Sequence, residues 1–542
     1  MMKKAIKKLL AALLAVAMVC AMAIPAFAGT EGDITKWHSF SAFQIFKGDV
    51  KGNNIKDFKI SNVTWGSNIA DNPAAFLDQL KADSTLGTQF QFIDATDANT
   101  AQKVLEVISK WDDSDANSIA FARFVCHYLY PDANAKPKPA VEGGGGSDHI
   151  HFDEAGYYLV VDTTPFNPGD FDHAYNSFLL MVTRDNWNVP ITPKAEKPSV
   201  KKEVFDNFDN QDGTSTGVFG SSADHAINEK FQFKLTATLP ASTDHAYDYY
   251  DTYAVCFKDT LSEGITYDGP DSVVIKSNNN TYNITDTLKY TINTDNLETQ
   301  NYFEVNIPDV KTCAEGLDLN KGATITVTYT AHLNEKAYVN IGSGSTDNKN
   351  SVQLKYSNNP RPSDYWGTTP KSEVYVFTYQ LNNTKRAETE NGTPLPGAGF
   401  RLYSDADYKN EVKLYQDGEF YYPIKDATDK NKEAVEMKSA ANGQFNVKGL
   451  DAGTYYLKET TTPADFTPCS VIPPVTITAN HNGNHVELDS SKLSTTIINK
   501  KAGGITLPST GGIGTTIFYV VGGGLMVAAI VLLVTKKRME NK

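Results

Sequence analysis

Phe231-Gln232-Phe233-Lys234-Leu235-Thr236-Ala237-Thr238-Leu239 alternates apolar and polar residues without a break. A period of two is the mark of a strand with one face in a core and the other facing water. The pattern returns at Ala323–Tyr329, Glu373–Leu381 and Gly453–Glu459, in runs rich in Val, Ile, Thr, Tyr and Phe. Clusters of Asn, Asp, Gly, Ser and Pro lie between these runs and end them. Extended in both directions, the reading is an all-β chain of tandem immunoglobulin-like β-sandwiches. Helical spacing at Pro73–Ala82 and Thr100–Trp111 adds some helix to the N-terminal domain. Pro-containing joints at Pro190–Pro198 and Asn358–Pro370 divide this part into domains at 29–193, 198–366 and 371–503.

Length and charge fit that division. A chain of 542 residues has room for several domains, and 40% hydrophobic residues supply their cores. The formal charge is −14. The N-terminal lysines contribute +4 and the C-terminal tail +3, so the remainder carries −21. A nucleic-acid binder needs a basic footprint, and this chain lacks one.

The two ends carry addresses. Residues 1–28 read as a secretory signal peptide: four lysines, an apolar run from Leu9 to Ile24, and the small-residue site Ala26-Phe27-Ala28. Near the other end, Leu507-Pro508-Ser509-Thr510-Gly511 precedes the apolar run Ile517–Val534, marginally long enough to span a bilayer, and then Lys536, Lys537 and Arg538. Pentapeptide, span and basic tail over 507–542 together resemble a Gram-positive cell-wall sorting signal. That resemblance implies sortase attack on the Thr510–Gly511 carbonyl and transfer of the acyl group to an amine. Of the cysteines, Cys20 leaves with the signal. Cys126, Cys256, Cys313 and Cys469 are scattered without metal-ligand spacing, and Cys256 and Cys313 could pair.

Six polar residues break the apolar phase of their strands. Lys202 shares a face with Val200 and Val204; Asp259 with Val255 and Phe257; Asn350 with Val352, Leu354 and Tyr356. In the third domain Lys385 shares a face with Tyr375, Phe377, Tyr379 and Leu381; Glu459 with Tyr455 and Leu457; Asn499 with Ile497. Each set is a lysine, a carboxyl and an asparagine pointing inward, and an inward lysine is costly unless something neutralises it. An intramolecular amide does so. Burial lowers the lysine pKa and raises that of the carboxyl, a neutral amine attacks the asparagine carbonyl, and Asp259 or Glu459 polarises it and shuttles the proton. Ammonia leaves. Lys201 is the fallback nucleophile if the first strand's register is off by one.

At these residues the chain resembles the isopeptide-forming, LPXTG-anchored major pilins of Gram-positive bacteria, of the SpaH/EbpB type. Leu395-Pro396-Gly397-Ala398-Gly399-Phe400-Arg401-Leu402 is similar to that family's L-x-G-A-x-F-x-L element. Tyr456-Leu457-Lys458-Glu459-Thr460-Thr461-Thr462-Pro463 is similar to its E-box, and Tyr356-Ser357-Asn358-Asn359-Pro360 to its Y-S-N-N-P ending. The resemblance implies CNA-B-like sandwiches, Lys202–Asn350 and Lys385–Asn499 bonds, and no cofactor. It also implies an acceptor lysine at the end of the first domain. Pro193-Lys194 matches that motif, whereas Thr192 and Ala195 replace its usual Tyr and Asn, and the spacing from Trp187 is shorter; Lys197 is the runner-up.

In the first domain Lys47, Asp162 and Asn176 leave room for a third bond, although Lys47 adjoins a turn at Gly48. His149 and His151 share a strand face without a third metal ligand. Gly143–Gly146 lacks the Lys-Ser/Thr of a phosphate loop, and Asn210-Gln211-Asp212-Gly213 lacks calcium ligands at its first and twelfth positions. The expected function is the structural backbone subunit of a covalent, wall-attached pilus, joined through Thr510 and Lys194, and not a turnover enzyme. Its partners would be identical subunits, pilin-polymerising and housekeeping sortases and peptidoglycan, with minor pilins and host ligands left open. The alternative is a monomeric wall-anchored adhesin.

Overall fold

The computed structural model describes residues 39–502, apart from 54–57, 113–114, 143–148, 165–177, 191–196, 208–216, 362–365 and 470. The signal peptide, the LPSTG segment with its apolar run, Asn176, Lys194, Gly143–Gly146 and Asn210–Gly213 lie outside the described residues. Among the described residues no helix is long and apolar enough to cross a membrane.

The N-terminal part is built on an antiparallel sheet in which Phe40–Lys51 lies between Lys59–Trp65 and Gly156–Asp162, with Leu179–Thr183 beyond. Gly156–Asp162 is buried at every position because both faces of this sheet are covered. On one side Phe43, Ile45 and Phe46 pack with Phe76, Leu105 and Val125 of three helices. On the other, Ala42, Tyr158 and Val160 meet Ile150, Phe152 and Val189 of the pair His149–Phe152/Trp187–Pro190. The helices are Pro73–Ala82, Thr100–Ile108 and Ala116–Leu129. Pro73 stands in the first turn and Asn72 caps it; Asp115 caps the third, accepting from Asn117 N at 2.8 Å. That third helix was not anticipated, although Ile119, Ala122, Cys126 and Leu129 recur at helical spacing and are buried.

The opening stretch lies near the centre of the next sheet. Lys230–Leu239 pairs antiparallel with Ser199–Asp206 on one side and Ala323–Leu333 on the other, which sets Lys202 and Val327 level with Leu235. Ile265–Ser277, Asn280–Asn283 and Val218–Gly220 complete this sheet. The facing sheet runs Ser222–Asp224, Ser372–Phe377, Lys349–Ser357, Val255–Leu261, Tyr302–Ile307, Thr291–Asn293. Phe231, Phe233, Leu235 and Ala237 are buried while their neighbours are not, as alternation requires.

By contacts the chain falls into two compact units. One runs through Tyr338 and includes Gly344–Phe377 and His481–Val486; the other holds Val339–Ser343, Thr378–Asn480 and the residues from Glu487. The second unit has two five-stranded sheets, one carrying Tyr379–Ala387 and Ser494–Asn499, the other Gly399–Tyr403 and Gly453–Thr461.

Two sequence expectations are corrected here. Glu373–Leu381 is not one strand: Ser372–Phe377 pairs with Lys349–Ser357, and Tyr379–Ala387 begins a different sheet. Val374, Val376 and Phe377 are the buried positions before the break, and Tyr375 and Phe377 stand on a different strand from Lys385, so neither shares its face. Cys256 and Cys313 do not pair, and the four described cysteines are free. Cys256 is flanked in register by Asn306 and Lys355, while the Cys313 thiol donates to Asp309 O at 3.4 Å.

Candidate functional site

Lys202 is buried on its strand between the exposed Lys201 and the half-exposed Glu203, and its Nζ meets the Asp259 carboxylate in a core where neither side chain is exposed. Asp259 stands on Val255–Leu261, whose register with Lys349–Ser357 sets Asp259 beside Val352 and Leu261 beside Asn350. The acid and the asparagine therefore come from one sheet and the lysine from the facing one. A residue the sequence reading did not single out joins them. The Tyr329 hydroxyl accepts from Lys202 Nζ at 3.0 Å and from Asn350 Nδ2 at 2.5 Å, and donates to Asp259 Oδ1 at 3.1 Å. Its signal was present: Tyr329 ends an alternating run with Ile325 and Val327. Burial lowers the Lys202 pKa to about 8 against the pull of Asp259, and raises that of Asp259 against the pull of Lys202. Both shifts run toward the neutral pair. Asn350 Oδ1 is buried without a hydrogen-bond partner.

The second triad uses other strands. Tyr379–Ala387 runs parallel to Ser494–Asn499, with Ala387 level with Asn499 and Lys385 two residues back. Lys385 Nζ contacts Asn499 Oδ1; Asn499 Nδ2 donates to Glu459 Oε1 at 2.6 Å, and that oxygen is 3.8 Å from Nζ. Here lysine and asparagine share a sheet and the acid reaches across from the facing one. Lys385 is fully buried, beneath the Phe400 ring at 5.6 Å, and Phe400 stacks on Phe445. Burial lowers the Lys385 pKa, opposed by Glu459 and Cys469. The other Glu459 oxygen accepts from Cys469 N at 2.7 Å, which fixes the carboxyl. Gly443 backs the lysine strand at φ +79°, and a Cβ there would stand 2.5 Å from Lys385 O.

The remaining expected residues fall elsewhere. Lys201 is exposed and pairs with Glu203, so the register turns Lys202 inward. Lys47 is exposed and pairs with Glu154 at 2.9 Å. It lies level with Gly156 while Asp162 lies level with Phe40, so the two stand at opposite ends of one strand pair. Lys197 is exposed. His149 and His151 occupy the exposed face of their strand, where His151 Nδ1 lies 2.8 Å from Asn188 Oδ1.

Residues 381–492 match the family model of the SpaA prealbumin-like fold domain, and residues 499–541 match that of the LPXTG cell wall anchor motif. This is a wall-anchored surface protein of the Gram-positive LPXTG type. Neither matching family is an enzyme family. No curated protein matches the chain. Among solved structures the wall-anchored chain is loosely similar to the T6 backbone pilin of serotype M6 Streptococcus pyogenes (15% identity, 87% of this chain and 97% of that one, TM-score 0.46). It is also similar to a C-terminal fragment of the major pilin GBS80 of Streptococcus agalactiae (21%, 56% and 99%, 0.40) and to the major pilin SpaD of Corynebacterium diphtheriae (19%, 69% and 88%, 0.39).

Among the described residues the first unit of the wall-anchored chain also carries a cluster of two carboxylates and a histidine. Asp206, Asp224 and His481 bring their ligand atoms within 4.8 Å of one another, an arrangement that could hold a divalent cation or a protonated imidazole. His481 Nε2 lies 3.5 Å from Asp206 and 3.8 Å from Asp224, and Nδ1 lies 2.9 Å from Ser222 Oγ. Burial disfavours the charged ring, but the Asp206 hydrogen bond and the two carboxylates outweigh it and raise the His481 pKa. A raised folded value means that the stabilisation is complete below the unfolded value of about 6.5 and fades as pH climbs through the folded one. The wild-type unit should therefore resist urea better at about pH 6 than at about pH 8.5, and His481→Gln should flatten that difference. Equal slopes in both proteins would exclude a charged His481.

Proposed function

We propose that this protein is the backbone subunit of a covalent pilus, assembled by sortase and strengthened by two self-formed Lys–Asn isopeptide bonds. What carries the reading is the pair of buried sets Lys202/Asp259/Asn350 and Lys385/Glu459/Asn499, each drawn together in a core that excludes water. Two buried ammonium groups are hard to account for as permanent charges, because desolvation costs about as much as the pairing returns. They are well suited to a single reaction. Lys Nζ passes a proton to the carboxylate, and the neutral amine attacks Asn Cγ. The Nζ–Cγ bond forms, the Cγ–Nδ2 bond breaks, and the carboxyl relays a proton from Nζ to Nδ2, which departs as ammonia. One amide replaces a buried charge, and the chemistry runs once.

The anchor supports the second half of the reading. A sortase acyl-enzyme formed at Thr510 needs an amine, and Lys194 in the proline-containing linker is the proposed acceptor. Internal bonds and polymerisation serve one end, since each lets a thin fibre carry tension through covalent bonds. Mass spectrometry of tryptic peptides from purified surface fibres tests all three links together. The expected products are Lys202–Asn350, Lys385–Asn499 and Thr510–Lys194 peptides. Internal links without any Thr510–lysine peptide would instead favour a wall-anchored monomer acting as an adhesin.

A further inference from the structure

Tyr329 touches both atoms that exchange partners in the proposed middle-domain reaction. We propose, on the basis of that reaction, that Tyr329 is a third catalytic side chain, carrying the proton from Asp259 to the leaving nitrogen of Asn350. The two oxygens of Asp259 are divided. Oδ2 meets the nucleophile Lys202 Nζ, and Oδ1 accepts from the Tyr329 hydroxyl. The Asn350 amide donates to Tyr329 and not to the carboxylate. The hydroxyl thus fills the gap between acid and leaving group.

The second triad shows why the gap exists. Glu459 is one methylene longer and reaches Asn499 Nδ2 directly at 2.6 Å. Asp259 is shorter and sits on the strand next to that of Asn350, with its carboxylate already committed to Lys202. A phenol at the right depth completes the circuit. Tyr329 is fixed there by packing: its ring contacts Phe233 at 5.3 Å, Phe303 at 5.0 Å and Tyr267 at 5.4 Å. Burial and the Asp259 charge keep the hydroxyl protonated, so it is available as a donor.

The protons balance. Lys202 ammonium first gives one to the Tyr329 hydroxyl, which passes its own to Asp259 Oδ1. As Nζ bonds to Cγ, Tyr329 gives its proton to Nδ2 and takes the one held by Asp259 on Oδ1. Asp259 then recovers a proton on Oδ2 from the attacking Nζ. Ammonia leaves, Nζ keeps one hydrogen as the amide, and Tyr329 and Asp259 end as they stood before the attack.

The test follows linkage in pulse-labelled full-length chain, comparing Lys202–Asn350 peptides with Lys385–Asn499 peptides at each time. Y329F should slow the first about a hundredfold, the usual scale for one proton-transfer partner, and leave the second unchanged. Y267F is the packing control, because the Tyr267 hydroxyl is buried without a hydrogen-bond partner and makes no bond to the triad. Linkage in Y329F at the wild-type rate, or equal slowing in Y267F, overturns the role. Absence of the Lys202–Asn350 peptide in the wild type would instead remove the reaction beneath it. If Y329F loses hydrogen-exchange protection across Lys230–Leu239, the wild type alone decides. Relay through two donors requires a curved dependence of rate on deuterium fraction, and a linear one overturns it.

Discussion

Glu459→Ala should leave Lys385 and Asn499 as separate side chains, so that its mature chain keeps the one ammonia that the proposed reaction removes from the wild type. The carboxyl is the group that hydrogen-bonds the leaving nitrogen, and it lies 3.8 Å from the nucleophile in a site with 0% and 1% side-chain exposure. The stability cost should be among the largest of any single substitution. The proposed amide would close a loop spanning 114 positions, and leaving one of that size open costs about 4–5 kcal/mol in chain entropy. The variant also strands a buried ammonium, which adds about 3–5 kcal/mol. Lys385→Met separates the two contributions: it removes nucleophile and charge together and should lose the first without the second. Intact mass and denaturant unfolding read both variants. A Glu459→Ala protein that still lacks the ammonia takes Glu459 out of the chemistry.

Lys194→Ala should collapse the boiled-SDS ladder of surface extracts to a single band. The effect is all or none, because a subunit without an acceptor amine ends the chain. Thr510→Ala should do the same from the donor side, by denying sortase its acyl group. Lys197→Ala is the discriminating control: a ladder that survives Lys194→Ala but disappears with Lys197→Ala moves the acceptor three residues on. A wild type that never forms a ladder rejects polymerisation while leaving the internal bonds untouched.

The strands and most of the triads were legible because period-two alternation gives each residue a face. Lys202, Asp259, Asn350, Lys385 and Asn499 were identified as inward on phase alone, and all are buried. Tyr329 was passed over for the same reason: an apolar ring in phase looks like core, and only its hydroxyl, with three partners, gives it a role. Phase also misled where a strand ended unseen. Nothing local marks Thr378 as a break, and the polar–apolar beat continues through it, so Tyr375 was credited to the wrong sheet. The helix Ala116–Leu129 was hidden by the expectation of sandwiches rather than by a weak signal. The partition of each triad between sheets depends on long-range pairing, which alternation does not encode.

The parallel pairing of Tyr379–Ala387 with Ser494–Asn499 has a consequence for how far the second unit can lengthen. With Lys385 bonded to Asn499, a pull entering at Tyr379 and leaving beyond Asn499 bypasses every residue between the two bonded positions. Those residues add nothing to contour length even when denatured. Single-molecule stretching should then yield only a few nanometres from this unit, and its loops can vary without softening the thread.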